Sequence, residues 1–149
     1  MARKPPDPEL YDTDFFEWTQ RTAQLLRTGR LNEIDLRHAA EEIEDMGKRD
    51  LKEANSRLQV VLLHLLKWKW QPRRRSLSWR STLVTQRLEI DAELQDSPSL
   101  RRRMRETLER TYQGAVKRAG VETGIPPSTF PPACPFSLEQ ALDTEFLPD

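Results

Sequence analysis

Between Asn32 and Pro72 the chain runs without a proline, and the second half of that stretch carries an apolar seam: Leu51, Ala54, Leu58, Val61, Leu65 and Trp68. The spacings alternate between three and four residues, and Leu62 with Leu66 widens the stripe. Such a pattern is one face of an α-helix, which must bury itself against at least one other helix. A single helix over about 36 residues would be some 54 Å long, beyond the usual globular length, so Gly47 is the expected place for a bend or break. Pro72 ends the helix, because it pushes Gln71 out of helical geometry.

The rest of the chain divides around this element. Pro5, Pro6 and Pro8 read as an extended leader over residues 1–10, and residues 11–149 read as a single helical domain. Asp12 is the expected N-cap of a first helix with Phe15, Trp18, Thr22, Leu25 and Leu26 at helical intervals, and Thr28-Gly29 is its stop. Asn32 is a candidate cap for the long helix. A third helix should start near Ser76 or Ser78 and carry Trp79, Leu83, Ile90 and Leu94. Ser97-Pro98 predicts the start of a fourth, with Leu100, Met104, Leu108, Tyr112 and Ala115, ending between Gly120 and Gly124. From Ile125 onward, Pro126, Pro127, Pro131, Pro132 and Pro135 forbid regular helix, so the chain must cross a surface in extended form, anchored by Phe130 and Phe136. Ser137 with Gln140 three residues on fits a capping box for a short final helix. The expected fold is all-α, a bundle of about four main helices with a Pro-rich C-terminal clasp and that short helix.

Charge narrows the function classes. The net charge is zero, yet residues 48–118 hold 18 Lys and Arg against 8 Asp and Glu, while both flanks are acidic. A basic centre can meet an acidic partner. It can equally be neutralised within the molecule, with Arg73, Arg74 and Arg75 or Arg101, Arg102 and Arg103 facing the acids Glu41, Glu42, Glu44 and Asp45, and that match is preferred. Four acids near a helix end at Gly47 would oppose the dipole, a conflict that a continuous helix removes. The first residues, two cations followed by prolines, do not read as a signal peptide, and no apolar run is long enough to span a membrane. The lone Cys134 cannot form an internal disulfide, so the cytoplasm is the expected compartment.

Several short motifs run together in order. Asp14-Phe15 with Trp18, Glu41-Glu42-Ile43-Glu44, Gly47 and His64-Leu65-Leu66-Lys67-Trp68 come first. Gln71-Pro72, Ser78-Trp79, Ser97-Pro98-Ser99-Leu100, Glu122-Thr123-Gly124, Phe130-Pro131 and Cys134-Pro135 follow. In this combination the chain, from about Tyr11 to Pro148, resembles the bacterial family known as domain of unknown function 29. Met46 stands where such sequences more often have leucine, a swap of little consequence for packing. The resemblance implies an all-helical fold and a bacterial cytoplasmic setting, and it implies no reaction.

The residues themselves offer little catalysis. His38 with Glu41 and Glu42 shares a helical face, but a di-metal bundle needs comparable ligands from several helices, and His64 is the only other histidine. No metal and no cofactor are expected. Glu41, Glu42 and His64 remain a candidate polar site; His64 falls roughly 40° beyond Trp68 on the helical wheel, at the edge of the apolar arc, where structural histidines are common. Cys134 lacks a neighbouring base and reads as a small buried residue. A basic-aromatic segment, residues 67–80, interleaves Lys67, Trp68, Lys69, Trp70 and Trp79 with Arg73, Arg74, Arg75 and Arg80. Cations there can contact phosphate, and an exposed tryptophan can stack on an unpaired base. Trp70, Arg73, Arg74, Arg75 and Arg80 are the candidate interaction surface, with the exposure of Trp70 as the deciding observation. The chain therefore reads as a non-catalytic protein-interaction or regulatory module with an unidentified protein partner. Weak nucleic-acid binding is the alternative and a metal-dependent enzyme the remote one.

Overall fold

The computed structural model describes residues 8–149, and the described chain is all-α. Its helices are α1 (Pro8–Thr13), α2 (Phe15–Arg27), α3 (Leu36–Trp70), α4 (Leu77–Asp96), α5 (Leu100–Glu106), α6 (Leu108–Thr123) and α7 (Leu138–Leu142). They fall into two compact units, the first ending at Arg49 and the second running Asp50–Asp149. Residues 1–7 of the expected leader lie outside the described residues. Its last three, Pro8–Leu10, are helical: proline suits the first helical position, where its missing N–H is not needed.

In the first unit, Asp14 rather than Asp12 caps α2, its carboxylate accepting the Glu17 N–H at 3.0 Å; Asp12 lies inside α1. Trp18, Thr22 and Leu25 form the buried face of α2. The helix stops as expected at Thr28-Gly29. Gly29 takes φ +70°, the Arg30 N–H bonds the Leu25 carbonyl at 2.9 Å, and the Gly29 N–H bonds that of Leu26 at 3.2 Å. Those two bonds close the last turn in the Schellman pattern. Asn32 sits in a 3₁₀ turn, Leu31–Glu33, and the capping role falls to Asp35, which accepts the His38 N–H.

Helix α3 runs through Gly47 without a break and so belongs to both units. The acids from Glu41 to Asp45 are mid-helix, and no helix end opposes them. In the second unit the middle of its seam is buried as the spacing predicts, with Leu63 added: Ala54, Leu58, Val61, Leu62, Leu63, Leu65 and Leu66 are all in the core, while Leu51 and Trp68 at the seam's ends are half-buried. They pack with Leu83, Ile90 and Leu94 of α4, Leu100 and Met104 of α5, and Tyr112, Ala115 and Ala119 of α6.

Ser76 caps α4 by accepting the Trp79 N–H. Ser97 ends α4 instead of starting the next helix. Pro98 forces it out of the helical region, to φ −136° and ψ 78°, and its carbonyl accepts the Leu100 N–H in a turn. The expected fourth helix is two helices, α5 and α6, parted at Thr107. That hydroxyl donates to the carbonyl of Arg103, four residues back, a bond that competes with the helical ladder and bends it. Gly124, at φ +72°, closes α6.

The Pro-rich clasp is held through its carbonyls and its two phenylalanines. Tyr112 Oη donates to the Pro131 carbonyl at 2.7 Å, and Gln113 to that of Pro132 at 2.9 Å. Phe130 and Phe136 are buried. A Cβ on Gly120 would lie 2.9 Å from Pro127, so only glycine lets the clasp seat there. The capping box at Ser137 and Gln140 forms with both of its bonds. Beneath the final helix lies a feature absent from the sequence reading. Arg87 of α4 is 2% exposed, and its guanidinium donates to the Ala141 carbonyl at 2.8 Å and the Gln140 carbonyl at 3.3 Å. It thereby supplies a donor to the Ala141 carbonyl in the last turn of α7, and shares the Gln140 carbonyl with the Asp143 N–H.

Candidate functional site

The first unit holds a linked set of polar and aromatic side chains. Asp35, already fixed as the cap of α3, bonds His38 Nδ1 at 2.5 Å. The Tyr11 ring stacks on the His38 ring, with centroids 3.9 Å apart and planes 12° from parallel. Its hydroxyl donates to Glu42 Oε1 at 2.5 Å. That bond stabilises the protonated phenol, and with the nearby acids it pushes the Tyr11 pKa up to about 12. Trp18 and Phe15 pack edge-on against the same tyrosine ring. Glu42, expected in a polar site, is therefore engaged by a tyrosine; Glu41 is exposed.

Beside this set a groove of about 320 Å³ opens between α2 and the first half of α3. Ala23 and Ala39 make its floor shallow in side-chain volume, while Phe15, Leu26, Ile43 and Met46 form apolar walls. Those four walls are about half exposed or more, Ile43 at 62% and Met46 at 53%. Glu42 and Arg49 supply its charged rim. Large apolar side chains grouped in this way mark an interaction surface more often than a solvated face.

The basic-aromatic segment belongs to the second unit and is largely occupied by its own contacts. The Arg75 guanidinium lies 5.1 Å from the Trp68 ring and donates to the Trp68 carbonyl. Lys67 lies 4.7 Å from the Trp79 ring and also pairs with Glu122 at 3.1 Å. Trp70, the deciding residue, is half-buried and meets Phe130 edge-on at 5.4 Å, with Lys69 over its face. The rings that a base would stack on are already covered by cations and by the clasp. Arg73, Arg74 and Arg80 are exposed and make no ion pair within their unit. Within the second unit two cations of the basic centre pair with acids of the C-terminal flank, Lys67 with Glu122 and Arg105 with Glu139.

His64 belongs to the second unit, and Glu41 and Glu42 to the first. The histidine is half-buried, and its Nδ1 lies 2.8 Å from the Val60 carbonyl one turn back. Nδ1 therefore carries a proton and donates to that carbonyl. Burial lowers its pKa below the ordinary 6.5, with Lys67 adding to the effect and Glu122 opposing it. A histidine depressed on folding binds fewer protons folded than unfolded, so its contribution is complete above about pH 6.5 and is lost as pH falls from there through the lower folded-state pKa. Urea midpoints at pH 7.5 and pH 5 should show a fall in wild type that His64→Gln reduces; equal falls would remove His64 from the account.

Other chemistry is thin. Cys134 is half-buried, with its thiol raised by burial and its Sγ donating to the Phe136 carbonyl, the setting of an inert structural cysteine. A smaller cavity of about 150 Å³ in the second unit is lined by Asp50, Glu53, Glu93 and Asp96, and Arg57 bonds both Glu53 and Glu93. Among the described residues no group of three His, Cys, Asp or Glu side chains is placed to hold a metal ion, and no helix is long and apolar enough to cross a membrane.

The residues that sequence reasoning missed are Tyr11, Asp35, Ile43, Met46 and Arg49. The signal was present as the spacing Ala39, Ile43, Met46, an apolar line on the acidic half of α3. The chain matches the family described as Domain of unknown function DUF29 over residues 10–147. No curated protein and no solved structure matches it.

Proposed function

Because the chain belongs to the Domain of unknown function DUF29 family, whose description assigns no reaction, we propose a function from its own surfaces: a non-catalytic helical interaction module. The groove between α2 and the first half of α3 is the surface that carries the reading. Its walls are large apolar side chains left in water, and burying them would stabilise a complex at about 25 cal/mol for each Å² of apolar surface removed. The expected setting is the bacterial cytoplasm, with the single cysteine, Cys134, as the supporting residue.

Affinity purification from the native cell, with and without nuclease, tests this reading. Protein recovered by the wild type should survive nuclease and be lost when Ile43→Glu puts a charge in the groove. Nucleic-acid binding through Arg73, Arg74 and Arg80 is the second reading, favoured by their exposure without ion pairs in their unit. It expects recovery that nuclease abolishes and that Ile43→Glu leaves unchanged.

A further inference from the structure

The rim of the groove is self-complementary. On the groove face of α3, Glu42 and Arg49 stand seven residues apart, two turns or about 10 Å, with Ile43 and Met46 between them. A helix laid antiparallel to α3 about a two-fold axis between residues 45 and 46 meets that face in reverse order. A copy of α3 then brings Arg49 opposite Glu42 at one end and Glu42 opposite Arg49 at the other. A uniformly basic or acidic partner would leave one of the two charges unmatched, and buried charge without a partner is unfavourable.

The two groups are placed for this. Glu42 accepts from Tyr11 on Oε1, which holds the carboxylate at the rim and leaves its second oxygen able to accept. Arg49 is exposed and uses Nε on the carbonyl of Asp45, 3.3 Å away, so its terminal nitrogens are not committed by that bond. The ridge bearing Ile43 and Met46 is at once a wall of the groove and a knob that a second groove can take, as an isologous interface requires. Ala23 and Ala39 leave room for a helix to approach closely.

Resting on the reading of this groove as an interaction surface, we propose that its occupant is a second copy of the chain. The two α3 helices cross antiparallel, and Glu42 of each copy faces Arg49 of the other. Two α2–α3 pairs then make a four-helix layer in which both grooves are filled at once, and the symmetry closes at two copies.

Sedimentation velocity on the full chain at about 100 µM should give twice the 17.5 kDa chain mass. Arg49→Glu sets two glutamates against each other at both ends and should weaken the dimer by at least about tenfold. Ile43→Glu should do the same through the apolar centre. Both positions are exposed, so thermal unfolding followed by circular dichroism should show each variant folded. Glu42→Arg alone should also be monomeric, while mixing it with Arg49→Glu should restore a mixed dimer, since each end then pairs opposite charges.

A monomeric wild type overturns the proposal. So does a dimer indifferent to both Arg49→Glu and Ile43→Glu, or a mixture that stays monomeric. If the wild type is monomeric yet Ile43→Glu still loses protein partners in the affinity experiment, the dimer falls and the interaction reading stands. A wild type with neither dimer nor partner ends both.

Discussion

Arg87→Met is expected to cost about 3 kcal/mol of folding stability, measured by urea denaturation. Methionine keeps much of the apolar stem and removes the guanidinium, so the loss isolates the two bonds to Gln140 and Ala141. A hydrogen bond from a charged donor contributes about 1.5 to 3 kcal/mol, and its removal leaves the carbonyl of fully buried Ala141 without that donor, while Gln140 keeps the Asp143 N–H. Burial works against the charge, lowering the Arg87 pKa, and Asp143 offsets part of that effect. Because five residues make α7, it cannot persist without such tertiary support. The same variant should therefore raise amide exchange in residues 138–142 before the rest of the unit opens. Stability within about 0.5 kcal/mol of wild type would show that the carbonyls find water and that Arg87 does not hold the helix.

Leu63→Ala should be as damaging as Leu65→Ala, each losing about 2 to 5 kcal/mol. Leu63 is 1% exposed and Leu65 fully buried, so either truncation leaves a cavity that close-packed neighbours cannot fill. Spacing alone puts Leu65 in the seam and leaves Leu63 outside it, with the solvated face. A mild Leu63→Ala beside a severe Leu65→Ala would restore the single-stripe description of α3.

That difference shows where sequence reading succeeds. Periodicity found the seam because Leu51 to Trp68 alternates spacings of three and four residues over several turns. Local chemistry found the Gly29 stop, the Ser76 start and the Ser137–Gln140 box, since each depends on residues within one turn. Leu63 escaped because a helix wrapped on more than one side shows no polar face to mark its boundary. Arg87 fills the gap between Leu83 and Ile90 in an otherwise apolar line, and its destination is a carbonyl 54 residues away. A charged residue in such a line reads as an interruption unless its partner is known. The caps moved by two or three residues for a similar reason: Asp12, Asp14, Asn32 and Asp35 all suit the role, and the geometry of the entering chain selects among them.

The candidate site was legible only in part. Glu42 stood out as one of a run of acids, but its engagement depends on Tyr11, 31 residues earlier. The apolar residues of α2 were read as one series at helical intervals, with nothing to say which of them are buried. In the structure Trp18 and Leu25 are buried while Phe15 and Leu26 are left open, because α2 meets α3 along only one side of that series. A single sequence reveals which side chains avoid water and not whether the molecule supplies a surface to cover them. In the basic-aromatic segment Lys67 and Arg75 lie over the Trp79 and Trp68 rings, contacts within a few residues that composition does not distinguish from a surface offered to a ligand.

The continuity of α3 bears on the order in which the chain acquires structure. Starting a helix is the unfavourable step, since several residues must be fixed before one hydrogen bond forms, whereas lengthening an existing helix adds a bond for each residue ordered. The leucine-rich half, Leu58 to Leu66, supplies a nucleus stabilised by burial, and the acidic half from Leu36 onward can form as its extension. Synthesis, however, delivers the acidic half first. The residues up to Arg49 would then leave the ribosome carrying the beginning of a helix whose nucleus has yet to be translated, and α2 would wait in the nascent chain for its packing surface.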